Sequence, residues 1–389
     1  MSEYLPGLEG VPATQSNISN IDGEKGILSY RGYPIAELSK HSTFEETCLL
    51  LLDGQLPTAH DLGVFDAQLR RNRRIKFNIR TLMKALPETG HPMEILQTAV
   101  ASLGVFYPGN ECLTSPDSCD DLDYVHNMTV KLLARMPALV AMWQHIRNGY
   151  DPIEPRGDLT YAENFLYMMT GEEPDPTFAS IMDTCLVLHA EHTINASTFA
   201  ALVAGSTLAS PYGVCAAAIG TLSGPLHGGA NEKVVEMLQE IGDAKNAKAW
   251  LDEKLKKKAK IWGFGHREYK VKDPRATILQ GLFETLVTER GGEISPLFEV
   301  ALALESAAEE RLGEKGVYPN VDFYSGILYA EMGIPTDQFT SVFAISRTAG
   351  WLAHWREQLA DNRIFRPTQV YTGEAARVYV PLSQRGLAG

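Results

Sequence analysis

The chain is short of cysteine, of positive charge and of long apolar runs, and each shortage removes a class of protein. Its five cysteines, Cys48, Cys112, Cys119, Cys185 and Cys215, are an odd number and none forms a CxxC pair. Zinc ribbons and thioredoxin-like redox chemistry are therefore excluded. Lys and Arg total 35 against 48 Asp and Glu, a formal charge of −13. A surface this acidic repels phosphate backbones and anionic lipid, so neither nucleic acid nor a membrane is expected as a partner. An anionic substrate has to be drawn in by a local basic site working against the overall field. The most apolar long stretch, Ala201 to Leu222, is interrupted by Gly205, Pro211, Gly213 and Gly220 and is too polar for a membrane span. The opening residues, Met1 to Gly7, show no basic stretch followed by an apolar core, so no secretion signal is expected. The expected compartment is the reducing cytoplasm, with the thiols serving as small core residues. Alternating β-branched runs are scarce, and there is no internal repeat or low-complexity linker.

What is present is helical periodicity. The 389 residues are 44% apolar and 21% charged, ordinary values for a globular chain large enough for one large domain and a smaller one. Ser42 to Glu45 and Thr160 to Glu163 read as capping boxes opening helices. Met128 to Ile146 reads as a long helix that Pro137 should kink. Phe178 to Leu188, Glu232 to Ile241, Pro296 to Leu312 and Asp337 to Leu359 repeat apolar residues at spacings of three and four. Short strands are expected only near Gly26 to Tyr30 and Val370 to Val380. The fold class is all-α with minor β, which disfavours Rossmann and barrel enzymes.

Three Gly/Pro-rich breaks carry ionisable residues, and loops on a rigid scaffold are where chemistry concentrates. In Ser223-Gly-Pro-Leu-His227-Gly-Gly-Ala-Asn231, His227 lies just ahead of a helix N-terminus, whose dipole favours a neutral imidazole able to polarise a carbonyl. The plainer reading is a polar cap on a tight turn. In Gly263-Phe264-Gly265-His266-Arg-Glu-Tyr-Lys270-Val-Lys-Asp273-Pro274-Arg275, Asp273 and Pro274 are a natural N-cap and first helical residue. His266 and Arg275 reach the same end of the loop and suit an α-keto acid: a guanidinium fork for the carboxylate, an imidazole for the ketone. The plainer reading is a structural Asp–Arg pair. In Pro319-Asn320-Val-Asp322-Phe323, apolar neighbours favour a raised pKa and a usable base, with a helix cap as the alternative.

Two further basic elements stand out. Arg347 sits in an apolar helix, where an unpaired charge is costly, and calls for an anion, either a ligand or a structural acid. The run Lys254 to Lys260 is either a solvated helix face or a landing patch for a phosphorylated cofactor. His189 and His192 lie at i, i+3 on one helix face, where a hydrogen-bonded face or an anion contact is expected. Their order does not match HExxH and no third ligand is near, so no metal is expected.

Together these residues resemble the citrate synthase family. The likeness runs from Gly-Ile-Leu-Ser-Tyr-Arg31-Gly-Tyr through His-Ala-Glu-His192, Pro-Leu-His227-Gly-Gly-Ala-Asn and the thirteen-residue loop to Val-Asp322-Phe, Ser-Arg347 and Phe-Arg366-Pro. The length is that of the shorter bacterial form. Two departures are Glu268, where the family usually has Val or Ile, and His-Ala-Glu-His-Thr in place of His-Ala-Asp-His-Glu. The resemblance implies a two-domain subunit, with residues 1–226 and 331–389 forming a large dimerisation domain. Residues 227–330 would be a small CoA-binding domain that closes over the site. It implies condensation of acetyl-CoA with oxaloacetate and hydrolysis of citryl-CoA to citrate, catalysed by His227, His266 and Asp322. His192, Arg275 and Arg347 would hold oxaloacetate, with Arg366 contributed across a homodimer; assemblies above the dimer, such as a hexamer, stay open. CoA would lie along Ile261, Gly263, Phe264 and Gly265, its phosphates met by Lys270 and by Lys256, Lys257 and Lys258. Acetyl-CoA would be a co-substrate and no cofactor would be tightly bound. The alternatives are a 2-methylcitrate synthase using propionyl-CoA, one methylene away, and a non-catalytic scaffold on the same fold.

Overall fold

Sixteen α-helices and one three-stranded antiparallel sheet make up most of the regular structure in residues 4–107 and 122–385, the residues described by this computed structural model. Cys112 and Cys119 lie outside the described residues. Strands β1 (Ser19–Asp22), β2 (Ile27–Tyr30) and β3 (Tyr33–Pro34) pair in sequence order, with Ser19 opposite Tyr30. Helices α1 (Ile35–His41), α2 (Phe44–Asp53), α3 (Ala59–Asn72), α4 (Phe77–Lys84), α5 (Pro92–Phe106) and α6 (Leu122–Ile146) follow. Next come α7 (Tyr161–Thr170), α8 (Pro176–His189), α9 (Ala196–Ser206) and α10 (Pro211–Leu222). The chain continues with α11 (Ala230–Ile241), α12 (Ala247–Lys256), α13 (Pro274–Glu289), α14 (Pro296–Leu312), α15 (Val321–Glu331) and α16 (Phe339–Ala360). The all-α expectation with minor β holds.

The helix starts are written locally. Proline occupies the first turn of α5, α8, α10, α13 and α14, where its missing N–H costs nothing. Thr160 and Glu163 form the expected capping box of α7. The one expected at Ser42 is displaced by one residue. Ser42 ends α1, Thr43 caps α2 by accepting the Glu46 N–H, and Glu45 turns inward to accept the Tyr161 N–H at 2.9 Å. Helix α6 continues through Pro137. No strand forms at Val370 to Val380. That segment is exposed and irregular, with bends near Gly373 and Ala375 and a positive φ at Ala376, and no neighbouring strand among the described residues satisfies its backbone groups.

Helix α16 is buried along almost its whole length and packs against α2, α6, α8, α9 and α10, with Trp351 and Trp355 fully enclosed. A second group is built from α11, α12, α14 and α15, with α13 laid on α15. Contacts of α11 with α16, and of α13 with α1 and α8, join the two groups. The segments between them, 223–229, 257–273 and 313–320, carry the Gly/Pro-rich breaks singled out above. Cys48, Cys185 and Cys215 are buried free thiols.

Candidate active site

A cavity of about 480 Å³ opens where those segments meet residues 192–195, α9 and α16, and His192, His227, His266, Arg275, Asp322 and Arg347 all line it. Gly263, Phe264 and Gly265 line it too. Residues as far apart in the chain as 192 and 347 are thus gathered at one place.

His227 sits two residues before the N-cap of α11. Its Nε2 accepts the Ser197 N–H at 3.2 Å and lies 2.8 Å from Ser197 Oγ, so the ring proton is on Nδ1. Burial, helped by the Arg347 charge, takes its pKa down to about 4. The ring is neutral as expected, but burial, not the helix dipole, is the leading cause. His266 is held the opposite way round. Its Nδ1 accepts the N–H groups of Glu268 (3.0 Å) and Tyr269 (3.4 Å), which leaves the proton on Nε2. Burial and the Arg275 charge bring it to about 4 as well. Both imidazoles are neutral hydrogen-bond donors at neutral pH.

Asp322 occupies the first turn of α15. The helix is capped by Asn320, whose side chain accepts the Asp322 N–H at 3.0 Å, so the Asp322 carboxylate is not consumed as a cap. Burial pushes its pKa up to about 6, against the pull of Arg275. Asn320 also clamps the glycine loop, its side-chain amide donating to Gly265 O at 2.9 Å and its N–H to Gly263 O at 2.9 Å. Gly263 has φ +77°, and a Cβ there would stand 2.7 Å from Val234 and 2.9 Å from Phe323, so no side chain fits.

The arginines differ. Asp273 caps α13 and also grips Arg275, with Nε–Oδ1 3.1 Å and Nη2–Oδ2 2.8 Å, both residues being buried. The structural Asp–Arg pair and the ligand-facing arginine are therefore the same object. The Nε side of the fork is taken, and the Nη1 end has no acceptor among the described residues. Burial raises the Asp273 carboxyl, and the Arg275 charge more than offsets this, holding it below its usual range. Arg347 is 2% exposed, donates Nε to His189 O at 2.8 Å and lies over the Phe343 ring. No carboxylate pairs with it among the described residues, and burial draws its pKa down to about 10.

His189 and His192 do not share a helix face. Helix α8 ends at His189, whose Nδ1 donates to Cys185 O at 2.7 Å while its ring packs edge-on against Phe343. His192 lies beyond the helix, 3.1 Å through Nε2 from the Tyr269 hydroxyl and 5.1 Å ring to ring from His266. Burial drives its pKa well below the usual value. No cluster of three metal-ligating side chains occurs among the described residues.

Several named residues stay outside the cavity lining. Ile261 is buried beside it. Lys256 closes α12, Lys257 pairs with Glu253 one turn back at 2.5 Å, and Lys258 is exposed, which is the solvated-face reading of the lysine run. Lys270 is exposed and donates to Arg267 O at 3.4 Å. Arg366 lies on the exposed C-terminal segment and donates to Pro367 O. Conversely, Lys260 lines the cavity and stacks over Trp262 at 3.9 Å. Ser197, Tyr269 and Asn320 orient the chemistry. Their only signal in the sequence was proximity to His192, His266 and Asp322, at separations of five, three and two residues respectively.

Comparison with known proteins agrees with this geometry. The family model described as citrate synthase, C-terminal domain, matches residues 7–368. The chain is 60% identical to citrate synthase of Acidithiobacillus ferridurans, with 98% of each chain covered, and 53% identical to that of Synechocystis, with 98% and 94% covered. Among solved structures it is similar to citrate synthase from Pyrobaculum aerophilum, with TM-score 0.91, 42% identity and 97% and 95% covered. It is equally similar in fold to citrate synthase of Thermoplasma acidophilum in ternary complex with carboxymethyl coenzyme A and oxaloacetate, with TM-score 0.91, 33% identity and 99% and 100% covered. The chain belongs to the citrate synthase family and is an acyltransferase of that family.

Proposed function

We propose that this cavity condenses acetyl-CoA with oxaloacetate through Asp322 as base, His227 as donor to the nascent enol and His266 with Arg275 as donors to the ketone oxygen. The observation that carries this is the pairing of one carboxyl raised to about 6 with two imidazoles lowered to about 4 in the same cavity. Environments that push titratable groups apart in this way assign base and donors.

Asp322 takes a proton from the acetyl methyl group. A carboxylate is poorly matched to that carbon acid, and a gap of roughly ten pK units costs ~14 kcal/mol. Raising the carboxyl by about two units recovers ~3 kcal/mol. The rest must come from stabilising the enol oxygen as it forms, the role of the His227 Nδ1 proton. The enol carbon attacks the ketone, and the alkoxide that develops meets the His266 Nε2 proton and the open end of Arg275. Arg347, which pairs with no carboxylate among the described residues, and His192 hold the dicarboxylate. Hydrolysis of citryl-CoA then releases citrate and CoA. Closure of residues 227–330 over the remainder would keep water from the thioester until condensation is complete. Arg366, exposed on its own chain, would complete the site of a partner subunit in a homodimer working in the cytoplasm.

Acetyl-CoA enters as a co-substrate along Gly263 to Gly265, with Lys260 as the cation for its phosphates. Relatives bearing the name citrate synthase do not favour the propionyl-CoA reading.

The test is thiol release from acetyl-CoA that depends on oxaloacetate. Asp322→Asn should keep its fold and lose condensation by about three or more orders of magnitude, in line with a missing general base and its electrostatic environment. Unimpaired turnover in that variant rejects the assignment. Lys260→Gln should raise the acetyl-CoA KM and spare that for oxaloacetate; equal effects on both would remove Lys260 from the CoA path.

A further inference from the structure

The hairpin formed by β1 and β2 touches both segments that carry the paired histidines. At its strand end the Ser19 hydroxyl donates to Glu191 Oε1 (3.0 Å) and accepts the Thr193 N–H (3.1 Å), so one side chain ties down the residues on either side of His192. Across the pair from Ser19, the buried Tyr30 hydroxyl lies 2.9 Å from Glu191 O and accepts the Glu191 N–H at 3.2 Å. At its turn end, Gly23 O accepts the Lys270 N–H at 3.0 Å. A Cβ at Gly23 would stand 2.0 Å from Glu268 O and 2.7 Å from Glu268 C. Glu268 and Tyr269 are the residues whose N–H groups hold His266 Nδ1.

We infer that the β1–β2 hairpin sets the position of His192 relative to His266, with Gly23 and Ser19 as positioning residues for the keto acid. The inference rests on the reading above that these two histidines hold oxaloacetate. Its physical core is the closeness of Gly23 to a peptide and not to a side chain. A methyl group at position 23 meets backbone that cannot rotate away, so the 266–270 turn has to shift by about 1 Å, a displacement that can cost ~10²-fold in a positioned site. Such a shift also loosens the N–H donors that keep the His266 proton on Nε2.

The experiment compares Gly23→Ala, Ser19→Ala, Ser19→Thr and the control Lys25→Ala, whose exposed side chain at the same turn pairs with Asp22. Gly23→Ala should raise the oxaloacetate KM by about tenfold or more, within the range a 1 Å displacement allows, while the acetyl-CoA KM stays within about twofold. Nitrogen-15 NMR of its His266 ring should lose the single Nε2–H tautomer. Ser19→Ala should raise the oxaloacetate KM in the same sense, and Ser19→Thr, which restores the hydroxyl, should rescue it. Lys25→Ala should match the parent. A folded Gly23→Ala with parental oxaloacetate KM overturns the inference. If that variant does not fold, a Ser19→Ala protein equal to the parent, or one not rescued by Ser19→Thr, overturns it. A parent chain lacking oxaloacetate-dependent thiol release would instead reject the proposed function, so the two failures are told apart.

Discussion

Single residues in this cavity are set against their own stability. Asp322 is buried deeply enough to hold its proton to about pH 6. A carboxyl whose folded pKa lies above its unfolded value near 3.8 weakens the fold progressively as pH rises between the two, and the loss is complete above the higher one. At pH 8 that amounts to about 3 kcal/mol at 1.36 kcal/mol per unit. Asp322→Asn should therefore melt at a higher temperature than the parent at pH 8, while at pH 4 the two should converge. The same pKa sets the activity profile. The base works only when ionised, so kcat/KM should fall on acidification with a midpoint near 6. His227 and His266, at about 4, stay neutral through that range. A limb of one proton should result, and a two-proton limb near 6 would contradict the neutral imidazoles.

The elements that present these residues do so through their ends. Asp273 caps α13, holds the Nε–Nη2 edge of the Arg275 fork and accepts the Val321 N–H at 3.2 Å, joining the start of α13 to the start of α15. Asp273→Ala leaves a buried guanidinium without its partner and should cost about 3–5 kcal/mol in urea unfolding, together with weaker oxaloacetate binding. A loss below about 1 kcal/mol would mean that Arg275 finds another acceptor. The start of α13 was legible in advance because an Asp-Pro pair is a local instruction. So were His227, His266, Asp322 and Arg347, each conspicuous as an ionisable group among glycines or apolar residues. Less legible was whatever depends on chain brought in from elsewhere. His189 and His192 looked like one helix face until the helix ended between them. Ser42 looked like a cap until it served as the end of the preceding helix. Ser197 gave no hint that it would fix the His227 tautomer, because only the fold brings residues 197 and 227 together. The lysine run holds five cations, yet only its last, Lys260, four residues past the end of α12, lines the cavity.

At the scale of the whole molecule, Arg366 lies exposed on the C-terminal segment, and its proposed role is to complete a partner's site. Mixed dimers test this. Arg366→Ala combined with Asp322→Asn should recover activity that neither variant has alone, because one of the two sites then receives both intact residues. No recovery on mixing would place Arg366 in its own subunit's site. The helical scaffold also explains how an acidic chain handles a dianion: attraction is confined to one pit, built from α16 and the start of α13, while the outside remains negative. Arg347 sharpens the point. A buried cation that donates to a carbonyl and forms no ion pair among the described residues, with a second arginine in the same cavity, makes the pit an electrostatic mismatch that a dianionic guest corrects. Small dicarboxylates too inert to react should accordingly raise the melting temperature well beyond what monocarboxylates achieve at equal ionic strength, and Arg347→Met should melt no lower than the parent while losing that response. The affinity of the pit for its guest is then, in part, relief from a tension the fold itself maintains.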